Sequence, residues 1–206
     1  MASIWEALGA APRVAEPVLW VQRRETWAGD RKANRIRLAA VGVFTLNELL
    51  NYHVLKVVDL RFHLGSLLII GLWLLMTALF SILLREHLWP RATSYLIAGT
   101  DVLLLTWLLF FGDGSKSPLV VLYFLIIALG GLRMDPRVCL FTGAATAVGY
   151  GAVLEFTKRQ KPPEFLVPPY HAVIVALALL LTGVVMAQVC GRVLELIHEA
   201  AGKERA

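Results

Sequence analysis

Two acidic residues interrupt long apolar stretches, and they are the first candidates for chemistry in this sequence. Glu48 lies in one stretch with Asn47 and Asn51 beside it, and Asp101 lies in the middle of another. Ionisable groups inside such stretches are costly and commonly mark a ligand or proton site. At comparable depth in a membrane, Glu48 and Asp101 could face each other and could share a proton, because two carboxylates in low dielectric do not both ionise cheaply. The alternative is that each one forms hydrogen bonds between helices and serves packing alone.

The histidines fall at the ends of apolar stretches. His53, His63 and His171 would lie at one membrane face, where they could bind a metal ion or act as a pH switch. The sequence has no tight ligand spacing such as His-Glu-x-x-His at these positions, so the alternative is three interfacial histidines. We predict no metal site, and these three residues are the candidates if one exists.

The elements that carry these residues are predicted to be transmembrane helices. The chain has 206 residues, 58% of them hydrophobic, and a mean hydropathy of +0.67. A spanning helix needs about 20 mostly apolar residues. The stretches that approach this length are 36–57, 64–84, 93–111, 118–132, 138–156 and one from 170 past 191. The expected fold is an all-α membrane protein, a bundle of six transmembrane helices, although a re-entrant fourth helix would reduce the spans to five.

The distribution of Lys and Arg predicts the orientation. Fourteen of the 20 basic residues flank the helices on the N-terminal side and six lie on the other side. Cytoplasmic flanks carry the excess of Lys and Arg, so both termini are expected in the cytoplasm. The net charge of +5 is explained by these flanks, and no nucleic-acid partner is expected.

Three segments follow from this layout. We predict a cytoplasmic N-terminal segment, 1–35, a membrane domain, 36–191, and a cytoplasmic stub, 192–206. Trp20 and Trp27 lie two helical turns apart between basic residues, which is typical of a helix lying on the membrane surface. A polar segment leading into the first span is the alternative.

Small and sulfur-containing residues provide packing candidates. Cys139 and Cys190 fall near the cytoplasmic helix ends, and we expect a reduced, structural pair with no disulfide. Gly143, Ala147 and Gly151 form a small-residue face that lets another helix approach closely, within the monomer or in a dimer. Further residues able to form hydrogen bonds on this helix are Thr142, Thr146 and Tyr150.

The last helix continues beyond the membrane. Its signal-transmission candidates are Gln188, Arg192, Glu195 and Leu196. Apolar residues spaced by 4, 3 and 4 positions form a short two-helix seam, which points to a homodimer. The seam residues are Val189, Val193, Leu196 and Ala200. Such a helix either transmits motion to a cytoplasmic domain or frays into solvent.

The turn after the third helix carries a resemblance. Asp101 is followed by an apolar run and then by Gly112-Asp113-Gly114-Ser115-Lys116-Ser117-Pro118-Leu119. This stretch, with Leu122-Tyr123 and Leu132-Arg133, resembles the six-helix membrane input modules that precede bacterial sensor histidine kinases and class III nucleotide cyclases. Redox-sensing kinases carry a related turn, Gly-Gly at the start and Asn-Pro-Phe at the end, associated with quinone binding. This chain has Asp113, Ser117 and Leu119 at three of those positions.

The resemblance implies a sensor of the bacterial inner membrane. Its ligand would be small or membrane-soluble, with a quinone as the possible cofactor, and its output would be a kinase (a two-component system) or an adenylate cyclase domain. The predicted ligand-binding residues are Glu48, Asn51, Asp101, Gly112, Ser117, Pro118 and Tyr150. No kinase or cyclase motif occurs before Ala206, so the output domain is expected either in cis, in a longer receptor, or in trans.

Two other function classes compete with this interpretation. A small transporter or channel would use Glu48 and Asp101 as relay or substrate groups, but no inverted repeat or broken helix is evident. An enzyme is not expected, because the sequence lacks His-Glu-x-x-His, Gly-x-Ser-x-Gly and Asp-rich phosphotransfer motifs.

Overall fold

The computed structural model describes residues 16–56, 59–85 and 90–203, without the side chains of residues 16–28 and a few others near the breaks and the C-terminus. The predicted face of Trp20 and Trp27, the contribution of Ala200 to the seam and the ends of both terminal segments therefore lie outside the described residues.

Within these ranges the chain folds into six α-helices and no strand. The α-helices are α1 (Glu16–Leu49), α2 (Leu60–Arg85), α3 (Pro90–Phe111), α4 (Leu122–Gly131), α5 (Pro136–Gln160) and α6 (Pro169–Lys203), and α1 continues as a π-helix, Leu50–Leu55. Five of them are long and apolar enough to cross a membrane. The predicted all-α, six-helix fold is confirmed.

The fourth helix is short but connects both ends of the bundle. A 3-10 turn, Pro118–Val121, leads into α4, and together they extend about 23 Å, less than the roughly 30 Å of a hydrocarbon core. The carbonyl oxygen of Gly131, at the end of α4, accepts a hydrogen bond from Cys190 Sγ in the C-terminal half of α6, at 3.3 Å. In this structure α4 therefore runs from one end of the bundle to the other and is not re-entrant.

Proline and capping side chains fix where the helices start. Asp135 accepts a hydrogen bond from the Arg137 backbone N–H at 2.9 Å, and Pro136 occupies the first turn of α5. Ser117 accepts one from the Leu119 N–H at 3.3 Å, ahead of the 3-10 turn that begins at Pro118. A side-chain acceptor before a proline satisfies a free backbone donor where the helix begins.

The core centres on α3, which packs against α2, α4 and α5. Leu105, Leu108 and Leu109 of α3 are fully buried, as are Tyr123 of α4 and Tyr150 of α5. The burial of one helix on several sides is what distinguishes it from its lipid-facing neighbours. Residues of α3 are thus well placed to contact several helices at once.

Two glycines bring α5 and α6 together. A Cβ atom added to Gly143 would lie 2.8 Å from the Cα of Gly183, and the reverse holds as well. Close approach of this kind is what small residues permit between membrane helices. A Cβ on Gly151 would meet nothing within 4 Å, so the predicted small-residue face packs within the monomer at Gly143 but not at Gly151.

The N-terminal part of α1 does not form a separate helix. Residues 16–35 are continuous with the first span, and Gly29 is buried against the backbone of Leu132 and Arg133. This contact covers the loop that follows the short α4. At Gly29, therefore, the helix packs on the bundle, whereas the boundaries proposed at residues 35 and 191 stay predictions.

Candidate functional site

An ion pair lies in the interior of the bundle between α1 and α3. Arg37 Nη2 donates a hydrogen bond to Asp101 Oδ2 at 2.6 Å, and both side chains are at most 4% exposed. Trp73 of α2 donates from Nε1 to the other carboxylate oxygen, Asp101 Oδ1, at 2.9 Å. We call these three residues the Arg37–Asp101 centre. It joins α1, α2 and α3 through one carboxylate.

A chain of hydrogen bonds extends from this centre. Arg37 Nη1 donates to Asn34 Oδ1 at 3.0 Å, and Asn34 Nδ2 donates to Ser81 Oγ of α2 at 2.7 Å. Ser81 and Thr77 in turn donate to backbone carbonyls one turn earlier in α2. The polar groups between α1 and α2 are therefore linked to Asp101.

The third nitrogen of the guanidinium group, Nε, forms no such hydrogen bond. Arg37 Nε is buried and has no hydrogen-bond partner among the described residues. Leaving a buried N–H group of a charged side chain without an acceptor costs on the order of 1–3 kcal/mol. Other atoms of the Arg37 side chain line a cleft.

The cleft runs between α1 and α4, next to the centre. Its cavity volume is about 40 Å³, and it is partly open at the protein surface. Arg37, Trp73 and Asp101 line its polar side. The rest of the lining is apolar, contributed by Ala40, Val41, Phe44, Leu122, Leu125, Ile126 and Leu129. A few polar groups beside a mostly apolar wall are an arrangement typical of small-molecule sites.

A second polar cluster lies nearer the opposite end of α1. Glu48 Oε1 lies 3.3 Å from His63 Nδ1 of α2, and the side chains of both residues are less than 10% exposed. Tyr52 stacks on His63 with ring centroids 3.8 Å apart, and His53 contacts both rings edge-on. We call these four residues the Glu48–His63 cluster. Its tyrosine and His53 lie in the π-helix that follows α1, a feature often found at functional sites.

The predicted pairing of Glu48 with Asp101 is wrong. Each carboxylate has its own cationic or imidazole partner, Arg37 for Asp101 and His63 for Glu48. Arg37 and Glu48 lie on the same helix and are about 16 Å apart along its axis. The two acids therefore belong to separate clusters at different depths.

The turn between α3 and α4, residues 112–118, connects two loops; we call it the outer turn because the charge distribution predicts that it lies outside the cytoplasm. Gly114 has a φ of 62°, and its neighbour Ser115 bonds to Thr157 Oγ1 through its backbone N–H and to the Phe165 carbonyl through its hydroxyl. The Gly112 carbonyl accepts a hydrogen bond from Lys161. These contacts hold the α3–α4 turn against the α5–α6 connection.

Other predicted binding residues do not gather at one place. Gly112, Ser117 and Pro118 belong to the turn, Tyr150 lies in the core, and Asn51 lies in the π-helix. Their role in binding a ligand stays a prediction. Only Asp101 of this set lines the cleft.

The three predicted histidines do not form one cluster either. His171 has its ring contact with Tyr170, while His53 and His63 are 5.8 Å apart between ring centroids. Within the part of the chain that the structure describes, no group of three or more His, Cys, Asp or Glu side chains is arranged to hold a metal ion.

The two cysteines form a close pair. Cys139 Sγ of α5 and Cys190 Sγ of α6 are 3.7 Å apart, and both residues are free thiols that are 0% and 2% exposed. Beyond them, Gln188, Arg192, Glu195 and Leu196 are exposed on α6, and Arg192 forms an ion pair with Glu195 at 3.0 Å. The thiols thus pack α5 on α6 before the apolar span of α6 ends at Ile197.

Sequence reasoning missed Arg37 and Trp73. Arg37 was counted as a basic residue flanking the first span, although it is 3% exposed and paired inside the bundle. The available signal was an unpaired acid, Asp101, in a span: a buried carboxylate requires a partner of opposite charge or a strong donor. An arginine at the start of a neighbouring span meets that requirement.

Comparison with known proteins places this chain in a family. Neither the curated proteins nor the solved structures that were compared contain a match to it. The model of a protein family described as the PilS-like transmembrane domain matches residues 35–195, a range that includes both polar clusters, the outer turn and the start of the α6 extension. PilS itself is a sensor histidine kinase. The chain is therefore a multi-pass membrane protein that belongs to the PilS-like transmembrane domain family.

Proposed function

We propose that this chain is a sensory input module of a bacterial inner membrane. It responds to a small, membrane-soluble ligand at the Arg37–Asp101 centre and transmits the response through α6 to a cytoplasmic output domain, of the histidine kinase type, in cis or in trans. Membership of a family named after a sensor kinase supports this role. The single observation that carries the proposal is the buried ion pair beside an open cleft.

The centre is suited to such a response because it couples three helices. Asp101 receives donors from both α1 and α2, so a ligand that displaces either donor changes the packing of α3. A ligand shifts a conformational equilibrium only through its different affinity for the two states. A buried charge pair makes the difference in affinity between the two states large, because the energy of the pair depends strongly on the geometry of its two side chains.

The route to the output is the α5–α6 pair. Asp101 lies on α3, which packs against α5, and α5 contacts α6 closely at Gly143 and Gly183. Helix α6 is described through Lys203, although its apolar span ends at Ile197. Movement of α3 against α5 thus reaches a helix that extends past the span.

The test is a chimera in which residues 1–206 replace the input region of a sensor histidine kinase. Asp101→Asn should change autophosphorylation in membrane vesicles several-fold, because Arg37 loses its carboxylate. Asp113→Asn is the matched control, since Asp113 is exposed in the outer turn and should leave the rate unchanged.

A second series tests transmission through α6. Insertion of one to four alanines after Glu199 rotates the output domain by about 100° per residue, so kinase activity should rise and fall with the insertion length. Equal activity in Asp101→Asn and wild type, together with no dependence on the insertion length, would refute the sensor proposal.

The transporter alternative receives no support from the geometry. Glu48 and Asp101 would need to lie on one pathway, but each is held by a separate partner. Flux in proteoliposomes that disappears in Asp101→Asn would favour that alternative over the sensor.

A further inference from the structure

We propose that Glu48 and His63 form a proton-binding site at the end of the bundle that contains the outer turn, and that the chain responds to pH through this site. The site is separate from the Arg37–Asp101 centre, so the inference goes beyond the proposed function. It starts from a difference between the two buried pairs of an acidic and a basic side chain.

The two pairs differ in whether the charge of the basic partner changes with pH. Arginine keeps its positive charge at every physiological pH, so Arg37 is a permanent partner for Asp101. Histidine ordinarily gains or loses its charge between pH 5 and 8. The net charge of the Glu48–His63 pair therefore changes by one when His63 binds or releases a proton.

The position of the pair makes this change in charge matter for packing. Glu48 Oε1 of α1 lies 3.3 Å from His63 Nδ1 of α2, and the two side chains are 3% and 7% exposed. A net charge at such a buried site costs far more free energy than the same charge in water. The proton on His63 therefore alters how strongly α1 and α2 hold together at this end.

The neighbours of the pair on α1 and α2 are mostly aromatic. Tyr52 stacks on the His63 ring at 3.8 Å between centroids, and His53 contacts the same ring edge-on. Both belong to the π-helix that follows α1. The other charged residues at this end of the two elements are exposed, and they are Lys56, Asp59 and Arg61.

Helix α3 adds no charge to this region. It packs on α2 here, where Gly112 lies against the ring of Phe62. The last turn of α3 contains no ionisable side chain, and Asp113, which follows it, is exposed. Among these neighbours, Glu48 is therefore the buried negative charge that the proton on His63 compensates.

His53 gives the proton a path from water. Its side chain is exposed, whereas His63 is 5% exposed, and the two ring centroids are 5.8 Å apart. An imidazole ring both accepts and donates protons, which is why histidine serves as a proton shuttle. A proton can thus reach His63 through His53 without crossing the apolar core.

The charges of the pair give the direction of the effect. With His63 protonated and Glu48 ionised, the pair is neutral overall and its hydrogen bond is charge-assisted. When the pH rises and His63 releases its proton, a buried negative charge is left without a cation, and the contact between α1 and α2 weakens. The stabilisation is therefore present near pH 5 and is lost toward pH 8, and strong acid, which protonates Glu48, removes it as well.

Helix α1 connects this site to the Arg37–Asp101 centre. Arg37 lies about 16 Å from Glu48 along the axis of α1. A weaker contact of α1 with α2 at Glu48 allows α1 to shift, and Arg37 then shifts relative to Asp101 on α3. The pH at one end of the bundle thus affects the same ion pair as the proposed ligand.

The first test follows the proton directly and needs no output domain. The full chain with ¹⁵N-labelled histidine is placed in lipid nanodiscs, and the ring nitrogens are recorded by NMR from pH 5 to 8, with His63→Gln identifying the His63 signals. The His63 ring should titrate within this range. In Glu48→Gln the midpoint of its titration should move to lower pH, because the imidazolium loses its counter-charge. A His63 ring that keeps one protonation state throughout, or a midpoint that is the same in Glu48→Gln, would overturn the inference.

The second test measures the effect of the proton on stability. The melting temperature of the wild type in nanodiscs should fall by several degrees between pH 5 and 8, and the fall should be much smaller in His63→Gln. His171→Gln is the matched control, since His171 is an exposed histidine at the start of α6, and it should keep the wild-type pH dependence. An equal fall in His63→Gln and wild type would contradict the inference, because other groups would then cause it.

The two tests also separate this inference from the sensor proposal. The titration of His63 does not depend on a kinase, so an inert chimera would refute the sensor proposal and leave the proton-binding site standing. A chimera that responds to Asp101→Asn while His63 fails to titrate would refute the proton-binding site alone.

Discussion

Arg37 and Asp101 are 64 positions apart in sequence, and their side chains meet at 2.6 Å inside the bundle. The pair fixes the register of α1 against α3, because it joins two buried side chains of opposite charge, one on each helix. Trp73 adds α2 to the same contact. One acidic residue thus sets the relative positions of three helices.

Removal of one partner should destabilise the protein far more than removal of both. Asp101→Leu leaves a buried, uncompensated cation, and we expect a loss of about 3–5 kcal/mol in the free energy of unfolding. Arg37→Met should show a similar loss. In the double variant, Arg37→Met with Asp101→Leu, most of that loss should be recovered. Unfolding in SDS, followed by far-UV circular dichroism, measures all three, and losses that simply add in the double variant would contradict the prediction.

In the Glu48–His63 cluster, the loss of stability on substitution should be larger for buried residues than for exposed ones. Glu48→Leu leaves His63 without its acceptor and should cost about 1–3 kcal/mol, while Tyr52→Leu removes the ring stack and should cost about 0.5–1.5 kcal/mol. His53→Leu is the control, since His53 is exposed, and it should change stability by less than about 0.5 kcal/mol. The same unfolding assay applies. If His53→Leu lowers the stability as much as Glu48→Leu does, burial does not determine how much each residue of this cluster contributes to stability.

The fold was predictable to a greater extent than the site. Length and hydropathy of the apolar stretches determine how many helices form, which is why the six-helix bundle followed from the sequence. Which residues of two helices meet depends on the rotation of each helix about its own axis and on its depth in the membrane. A hydropathy pattern determines neither of these. Asp101 and Glu48 were therefore recognised as important but were assigned to each other. Arg37 was missed because a basic residue at the start of a span is usually a flanking residue.

The α5–α6 contact should depend on one glycine and not on another. Gly143→Ala places a methyl group 2.8 Å from the Cα of Gly183, so the helices must separate, and we expect a loss of about 1–3 kcal/mol in stability. Gly151→Ala on the same helix meets nothing within 4 Å and should be neutral or stabilising by up to about 1 kcal/mol. Thermal unfolding in detergent compares the two. Equal losses would contradict the prediction, because helix propensity favours alanine at both positions and only Gly143 is in close contact with α6.

The orientation of the bundle can be tested by cysteine labelling. In a Cys139→Ala, Cys190→Ala background, Asp113→Cys places an exposed thiol in the outer turn and Arg137→Cys places one near the opposite end. The positive-inside rule predicts that a membrane-impermeant maleimide labels Asp113→Cys in intact cells and labels Arg137→Cys only after permeabilisation. The reverse pattern would place both termini outside the cytoplasm.

The apolar face of α6 predicts where two copies of the chain meet. Val189 and Leu196 are each 50% exposed, and they lie one heptad apart on the same face of α6. In the same cysteine-free background, Val189→Cys or Leu196→Cys should yield a disulfide-linked dimer when membranes are treated with copper phenanthroline. Ile197→Cys is the matched control, because Ile197 is 38% exposed but is rotated about 100° from Leu196. Disulfide-linked dimers that form as readily at Ile197 would indicate random collisions, because a specific seam involves one face of the helix. Dimers that disappear when the membranes are fused with excess lipid would indicate the same, because a specific dimer survives dilution in the membrane.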